Sequence, residues 1–232
     1  MNGLEKKAKN IRNRIIKEAY KHQVAHVGSC LSCVEILTVL FFEIMKPEDK
    51  FILSPGHKAL ALYATLVEKG VLKDIDLEKL GGHPKRNPAI GIEVSTGSLG
   101  HGLPIACGMA LAGKKVYVLL SDGDLEEGST WEAIKFAGDR ELSLTAIIDA
   151  NGWSAYKRVI DTPLASCLGL GWNIRIIGDG HSLGQLKEVL SRRMIKPVMI
   201  LTNTIKGKGL PEIEDKLESH YMKVTKEMME RG

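Results

Sequence analysis

Asp122 and Asn151 stand 29 positions apart, and each follows an apolar run of the kind that forms a strand, Val116–Leu120 and Thr145–Asp149. A strand–helix–strand unit of that length sets both side chains at the same sheet edge, close enough to share one ion. A carboxylate, an amide oxygen and a backbone carbonyl are hard oxygen ligands. They suit Mg2+ or Ca2+ better than zinc, and an ion with so few protein ligands bridges to the phosphates of a bound molecule. Gly123 has no Cβ and lets the chain approach that anion closely. The helix that follows would direct its free N–H groups at the same charge.

Those positions depend on the elements around them. Leu4, Ala8, Ile11, Ile15 and Ala19 recur on one face of an amphipathic helix over residues 4–22, with Lys and Arg elsewhere. Ser32-Cys33-Val34-Glu35 reads as a capping box opening a strongly apolar helix to about Met45. Phe51–Leu53 reads as a short strand, followed by a turn at Pro55-Gly56 and a helix over about 57–69. Residues 71–96 read as irregular and polar. Beyond them a periodic alternation begins: helix Gly100–Gly113, strand Val116–Leu120, helix Ser129–Gly138 and strand Thr145–Asp149. Strand Ile174–Ile177, helix Leu183–Arg193, strand Val198–Thr202 and a helical tail over about 211–232 complete it. Short continuous Val/Ile/Leu runs spaced by helices indicate a parallel sheet covered on both faces. The expectation is a single doubly wound α/β domain over residues 1–232, whose ligands bind at the carboxyl ends of the strands.

Composition narrows the classes. The 232 residues carry 32 Lys+Arg against 28 Asp+Glu, a net charge of +4, and the basic residues are scattered, so nucleic acid is not implied. With 44% hydrophobic and 26% charged residues the chain is neither disordered nor fibrous. No apolar stretch reaches the roughly 18 residues of a membrane span, and the N-terminus lacks the apolar core of a secretory signal. Four cysteines are too few for a disulfide scaffold and fit a reducing, cytoplasmic setting. Cys30-x-x-Cys33 has neither a second ligand pair for zinc nor a preceding strand for a redox motif, so packing thiols are the better reading. Gly108 to Lys115 nearly spells a phosphate-binding P-loop, but it lacks the Ser/Thr for Mg2+ and precedes a strand instead of following one.

Ser121-Asp122-Gly123 with Asn151 resembles the Gly-Asp-Gly…Asn diphosphate motif of thiamine diphosphate enzymes in all but its first glycine. Other segments follow in the order of one group of them. Ala25-His26-Val27-Gly28-Ser29, Leu53-Ser54-Pro55-Gly56-His57 and Gly82-His83-Pro84 come first. Thr96-Gly97-Ser98-Leu99-Gly100-His101-Gly102, Asp124-Leu125-Glu126-Glu127-Gly128-Ser129-Thr130-Trp131-Glu132-Ala133 and Ile205-Lys206-Gly207-Lys208-Gly209 come after. Over about residues 10–222 the chain is similar to the amino-terminal half of transketolases. Deoxyxylulose phosphate synthases, the decarboxylating 2-oxo acid dehydrogenases and a non-catalytic subunit on the same fold are the alternatives. The forms Leu-Ser-x-Gly-His and Asp-Leu-Glu-Glu-Gly favour transketolase.

The resemblance implies thiamine diphosphate and Mg2+, with Ca2+ or Mn2+ as substitutes. It assigns the metal to the side chains of Asp122 and Asn151 and the carbonyl of Trp153. It places Gly97, Ser98, Leu99, Gly123, Asp124, His57 and Lys206 along the cofactor, with Leu99 near the aminopyrimidine. His26, His57, His83 and His220 would surround the reacting carbons and the sugar hydroxyls, and Glu127 and Glu132 would form an acidic cluster at a subunit interface. Imidazoles suit that task because their ordinary pKa near 6.5 allows proton uptake and release at neutral pH. The implied reaction is transfer of a two-carbon ketol unit from a ketose, such as a sugar phosphate, to an aldose. In the family, a glutamate and an aromatic residue of a following pyrimidine-binding domain complete the site. The expectation is therefore a separate carboxy-terminal partner subunit, in a heterotetramer (α2β2). Three departures stand out: Ser121 for the first glycine, Val27 for a common proline, and a short segment between Asn151 and Gly171-Trp172.

Overall fold

The computed structural model describes residues 3–159, 164–192 and 197–231. Helix α1 (Gly3–His22) presents Ala8, Ile11, Ile15 and Ala19 to the core, as its spacing predicts. Helices α2 (Val27–Ser32) and α3 (Val34–Val39) follow, ending in a π-helical turn over Leu40–Ile44. Strand β1 (Lys50–Leu53), helix α4 (Ala59–Glu68), a single helical turn α5 (Leu77–Leu80) and helix α6 (Gly102–Leu111) come next. Then β2 (Val116–Ser121), α7 (Gly128–Asp139), β3 (Leu144–Ala150), α8 (Leu164–Gly169) and β4 (Asn173–Ile177) alternate. Helix α9 (Leu183–Ser191), strand β5 (Val198–Asn203) and helix α10 (Lys226–Arg231) complete the order.

All five strands are parallel, in the order β1-β2-β3-β5-β4. The period-2 geometry of a strand divides each apolar run between two cores. Tyr117, Leu119, Ile147 and Ile200 face the layer of α1, α3, α4 and α9. Val118, Leu120, Ala146, Ile148 and Met199 face the layer of α6 and α7. Both faces are covered, which is the doubly wound arrangement expected from the runs.

Two expectations are corrected. The helix expected to open at Ser32 begins at Val27, and no side chain caps α3. Tertiary partners take both ends of the supposed capping box: Ser32 Oγ donates to Asp149 Oδ2, and Glu35 binds Arg12 and His181. Cys33 breaks the run, and the helix resumes to Val39. The tail expected to be helical over about 211–232 is mostly loop, with a 3-10 turn at Glu218–His220 and helix only from Lys226. Its main chain is engaged elsewhere: His220 O accepts from His26 N at 3.0 Å, and Asp215 N donates to Lys206 O at 2.9 Å. The helix expected to reach Arg193 is seen to Ser191; Arg193 lies outside the described residues, as do 160–163 of the short segment after Asn151.

Among the described residues no helix is long and apolar enough to cross a membrane. Cys30 and Cys33 are buried and free, and their thiols donate to backbone carbonyls. Burial pushes the Cys30 thiol up to about 12, which suits packing and not redox exchange.

Candidate active site

The carboxyl ends of β1, β2, β3 and β5 converge, and Asp122 and Asn151 meet there. Ser121 pairs with Asp149 in the β2–β3 register, so the residues just beyond come side by side. Asp122 Oδ2 accepts the N–H groups of Asn151 and Gly152, each at 3.0 Å. Asn151 Oδ1 accepts from Trp153 N at 3.2 Å and retains a second lone pair. Burial, then the nearby Asp149 carboxylate, pushes the Asp122 carboxyl up to about 6. A carboxylate so placed gains from a cation.

Asp124 is also buried, with its carboxylate fully occupied. Oδ1 accepts from Ser54 Oγ at 2.6 Å and Gly100 N at 3.0 Å, and Oδ2 from Ser121 N and Oγ, both at 2.9 Å. It ties together the end of β1, the 97–101 loop and the turn after β2. Ser121, where the family motif has glycine, supplies two of those bonds and caps the 3-10 turn Asp122–Glu126.

A cleft of about 250 Å3 opens beside this pair. His26, His57, His83 and His220 line it together with Gly97, Leu99, Gly123, Asn151 and Trp153. The His26 ring lies 5.3 Å from His57, 6.5 Å from His83 and 4.7 Å from His220 between centroids. His26 adopts φ 66, a left-handed conformation that a non-glycine residue takes at a cost. The His220 carbonyl, bound to its N–H, helps to hold it there. Two close approaches shape the wall. A Cβ on Gly97 would stand 2.9 Å from the His83 ring, and one on Gly123 would stand 2.9 Å from Leu99 Cδ1.

Burial lowers the pKa of three of these imidazoles, and positive neighbours lower it further. His26 is lowered, His57 falls well below 6.5, and His220 falls to about 4 with Lys206 and His26 nearby. All three are neutral at pH 7, able to accept or donate hydrogen bonds without carrying charge.

Two buried lysines lie close by: Lys58 lines the cleft, and Lys206 sits near His26 and His220 behind its wall. Lys58 Nζ pairs with Asp149, whose oxygens also accept from Ser32 Oγ and Thr204 Oγ1. Burial alone would lower the Lys58 pKa, but Asp149 together with other negative neighbours, Asp122 among them, raises it. Lys206 is 1% exposed, and among the described residues its ammonium has no hydrogen-bond partner. Burial and Lys58 lower its pKa to about 8. A buried ammonium without a partner is costly and marks a place for an anion. Sequence reasoning missed Lys58 and Asp149; their only signals were adjacency to His57 and to the strand end before Asn151.

Not every expected residue reaches the cleft. Ser98 is exposed and does not line it, and Asp124 acts from behind. His101 begins α6. Glu127 and Glu132 lie exposed on the outer surface at α7. Among the described residues no group of three or more His, Cys, Asp or Glu side chains forms a metal cage. The adjacent side-chain oxygens of Asp122 and Asn151 are of the other kind, hard donors of the sort a divalent ion such as Mg2+ takes.

A doubly wound parallel sheet with a buried free ammonium, an oxygen donor pair and a cluster of histidines at its strand ends has the form of a cofactor-binding α/β domain. Residues 4–230 match the family model described as transketolase, thiamine diphosphate binding domain. The 6-deoxy-6-sulfo-D-fructose transketolase subunit SqwG of Clostridium sp. (strain MSTE9) is 38% identical, over 97% of this chain and 93% of that protein. Human transketolase is 37% identical over the whole of this chain, which spans only 41% of the human protein. The transketolase structure from Leishmania mexicana superimposes with a TM-score of 0.87 at 25% identity, covering 99% of this chain and 40% of that one. The structure from Campylobacter jejuni gives 0.83 at 26% identity, covering 98% and 42%. The chain belongs to the transketolase family, as its thiamine diphosphate-binding part.

Proposed function

We propose that this chain is the amino-terminal, diphosphate-binding subunit of a split transketolase, with residues 1–232 forming one domain. The observation that carries the reading is the near full-length match to a relative that is itself named a transketolase subunit. The site supports it: an unpartnered buried ammonium at Lys206 beside the Asp122–Asn151 pair suits a diphosphate and its divalent ion. Asp122, Asn151 and the Trp153 carbonyl would hold Mg2+, and Ca2+ or Mn2+ would substitute. Gly123 and Lys206 would face the diphosphate, and Gly97 and Leu99 would lie along the ring system.

Thiamine diphosphate, when bound, supplies the electron sink for breaking the bond beside a ketose carbonyl. The chain's own residues handle protons and hydroxyls. His57 and His220 are held neutral by burial and serve to hydrogen-bond sugar hydroxyls. His26 is less buried than His220 and is suited to take the proton of the hydroxyl next to the bond that breaks, and later to return it. His83, exposed at the rim, would meet the substrate as it enters. The transferred group is a two-carbon ketol unit. Its donor is a ketose with an anionic terminus, phosphorylated in one arm of the test and sulfonated, as the relative's name suggests, in the other.

The partner is a pyrimidine-binding carboxy-terminal subunit, with two copies of each chain. Helix α6 supports such a contact: it carries no charged residue, yet Leu111 is exposed and Ile105 and Met109 are only partly covered. Glu127, just before neighbouring α7, and Glu132 within it would border it. The four cysteines are free and buried, in keeping with a cytoplasmic setting. The chain alone should show no ketol transfer from either donor, and adding the partner should restore it. Full turnover by the lone chain would overturn the reading.

A further inference from the structure

The loop that carries Lys206 is fastened on every side except at the ammonium itself. Beyond β5, Thr204 Oγ1 donates to Asp149 and Ile205 N donates to His181 Nε2 at 2.9 Å. The Lys206 carbonyl accepts from Asp215 N at 2.9 Å, and the Lys208 carbonyl accepts from Arg12 Nη1. Two of these anchors converge on one carboxylate. Glu35 Oε2 meets His181 Nδ1 at 2.8 Å, and Oε1 accepts from Arg12 Nη2 at 2.5 Å.

The direction of the bonds fixes the tautomer. Nε2 of His181 accepts the Ile205 N–H, so the ring proton sits on Nδ1 and is donated to Glu35. Burial would raise the Glu35 carboxyl, but the hydrogen bond from His181 and the charge of Arg12 hold it below the ordinary value. It therefore stays an ionised acceptor for both. The turn bearing His181 is pressed onto the end of β5: Gly180 N donates to Asn203 O at 2.7 Å. A Cβ on Gly180 would fall 2.6 Å from the methyls of Thr202 and Thr204. Arg12, Glu35 and His181 come from α1, α3 and the turn before α9, and none of them lines the cleft.

We infer that His181, braced by Glu35 and Arg12, is a positioning residue that fixes the 204–208 loop so that Lys206 meets the bound diphosphate without a protein partner. The inference rests on the diphosphate reading of the site. An ammonium that no hydrogen bond holds is placed by its packed stem and by its backbone, and the bracket fixes the backbone. Its worth is that no protein acceptor competes with the anion for the Lys206 protons.

The test measures affinity of the full chain for inorganic diphosphate with Mg2+ by calorimetry. His181→Asn keeps a group at the Nδ1 position and removes the acceptor for Ile205 N; His181→Gln does the reverse. His181→Asn and Lys206→Met should each weaken binding about tenfold, the size of one charge-assisted hydrogen bond. The double variant should lose no more than Lys206→Met alone, and His181→Gln should restore most of the affinity. Losses that multiply in the double variant, or a His181→Asn chain that binds normally, would overturn the inference while leaving the diphosphate site intact. If His181→Asn does not fold, Glu35→Gln replaces it in the same cycle with the same expectation. Failure of the unsubstituted chain to bind diphosphate would instead remove the cofactor reading, and this inference with it.

Discussion

Asp122 combines two duties that a surface carboxylate could not. It accepts the backbone N–H groups of Asn151 and Gly152, which fixes the two strand ends together, and in the proposed function it would also offer the charge a divalent ion needs. Asp122→Ala should therefore weaken binding of thiamine diphosphate with Mg2+ by about 10- to 100-fold or more in the assembled complex. Unchanged affinity in a calorimetric titration would remove Asp122 from the metal site. The histidines make a different statement. The folded pKa values of His26, His57 and His220 lie below the ordinary 6.5, down to about 4 for His220, so the unfolded chain binds more protons between those values. Stability from these groups is present above pH 6.5 and is lost as pH falls toward 4. Melting temperature should drop over that range, and less steeply in His220→Gln; a flat profile would mean that the imidazoles are not held neutral by the fold. At this scale His26, His57 and His83 were legible because glycine-bearing motifs frame them. Lys58 and Asp149 were not, because a buried ion pair is defined by partners far apart in the chain.

Among the elements, the buried Lys58–Asp149 pair joins the turn after β1 to the end of β3, across β2. Ser32 on α2 and Thr204 after β5 complete the same node, so four elements meet on one carboxylate. Lys58→Met leaves that carboxylate without its buried counter-charge. It should cost about 3–5 kcal/mol in denaturant unfolding, the usual penalty for breaking a buried pair. A loss below about 1 kcal/mol, typical of an exposed pair, would show that the node carries no structural weight. Strands β1, β2, β3 and β5 were readable as short apolar runs, the pattern that burial on both faces demands, whereas edge strand β4 carries Arg175 within it and leaves Ile176 exposed. The capping box at Ser32 misled because the local signal was real but its side chains had stronger tertiary claims. The tail misled for a similar reason: residues 211–221 serve the site with their backbone, and a helix would have consumed those groups internally.

For the molecule as a whole, four strand ends assemble a cleft whose walls are histidines and whose floor is buried charge, and α6 leaves an apolar face outward beside it. Mixing with the partner should produce both turnover and a complex containing two copies of each chain, readable by native mass. The amino-acid sequence determined the fold class, the Asp122–Asn151 pair and most of the histidine ring. Those depend on local periodicity, strand-end spacing and glycine-framed segments, which a linear chain displays. Only the tertiary structure decided that Asp124 ties loops together, that Lys206 stands unpartnered behind the cleft wall, and that Arg12, Glu35 and His181 hold its loop. Such roles are set by which groups become buried together, and burial is a property of the packed chain, not of any stretch of it.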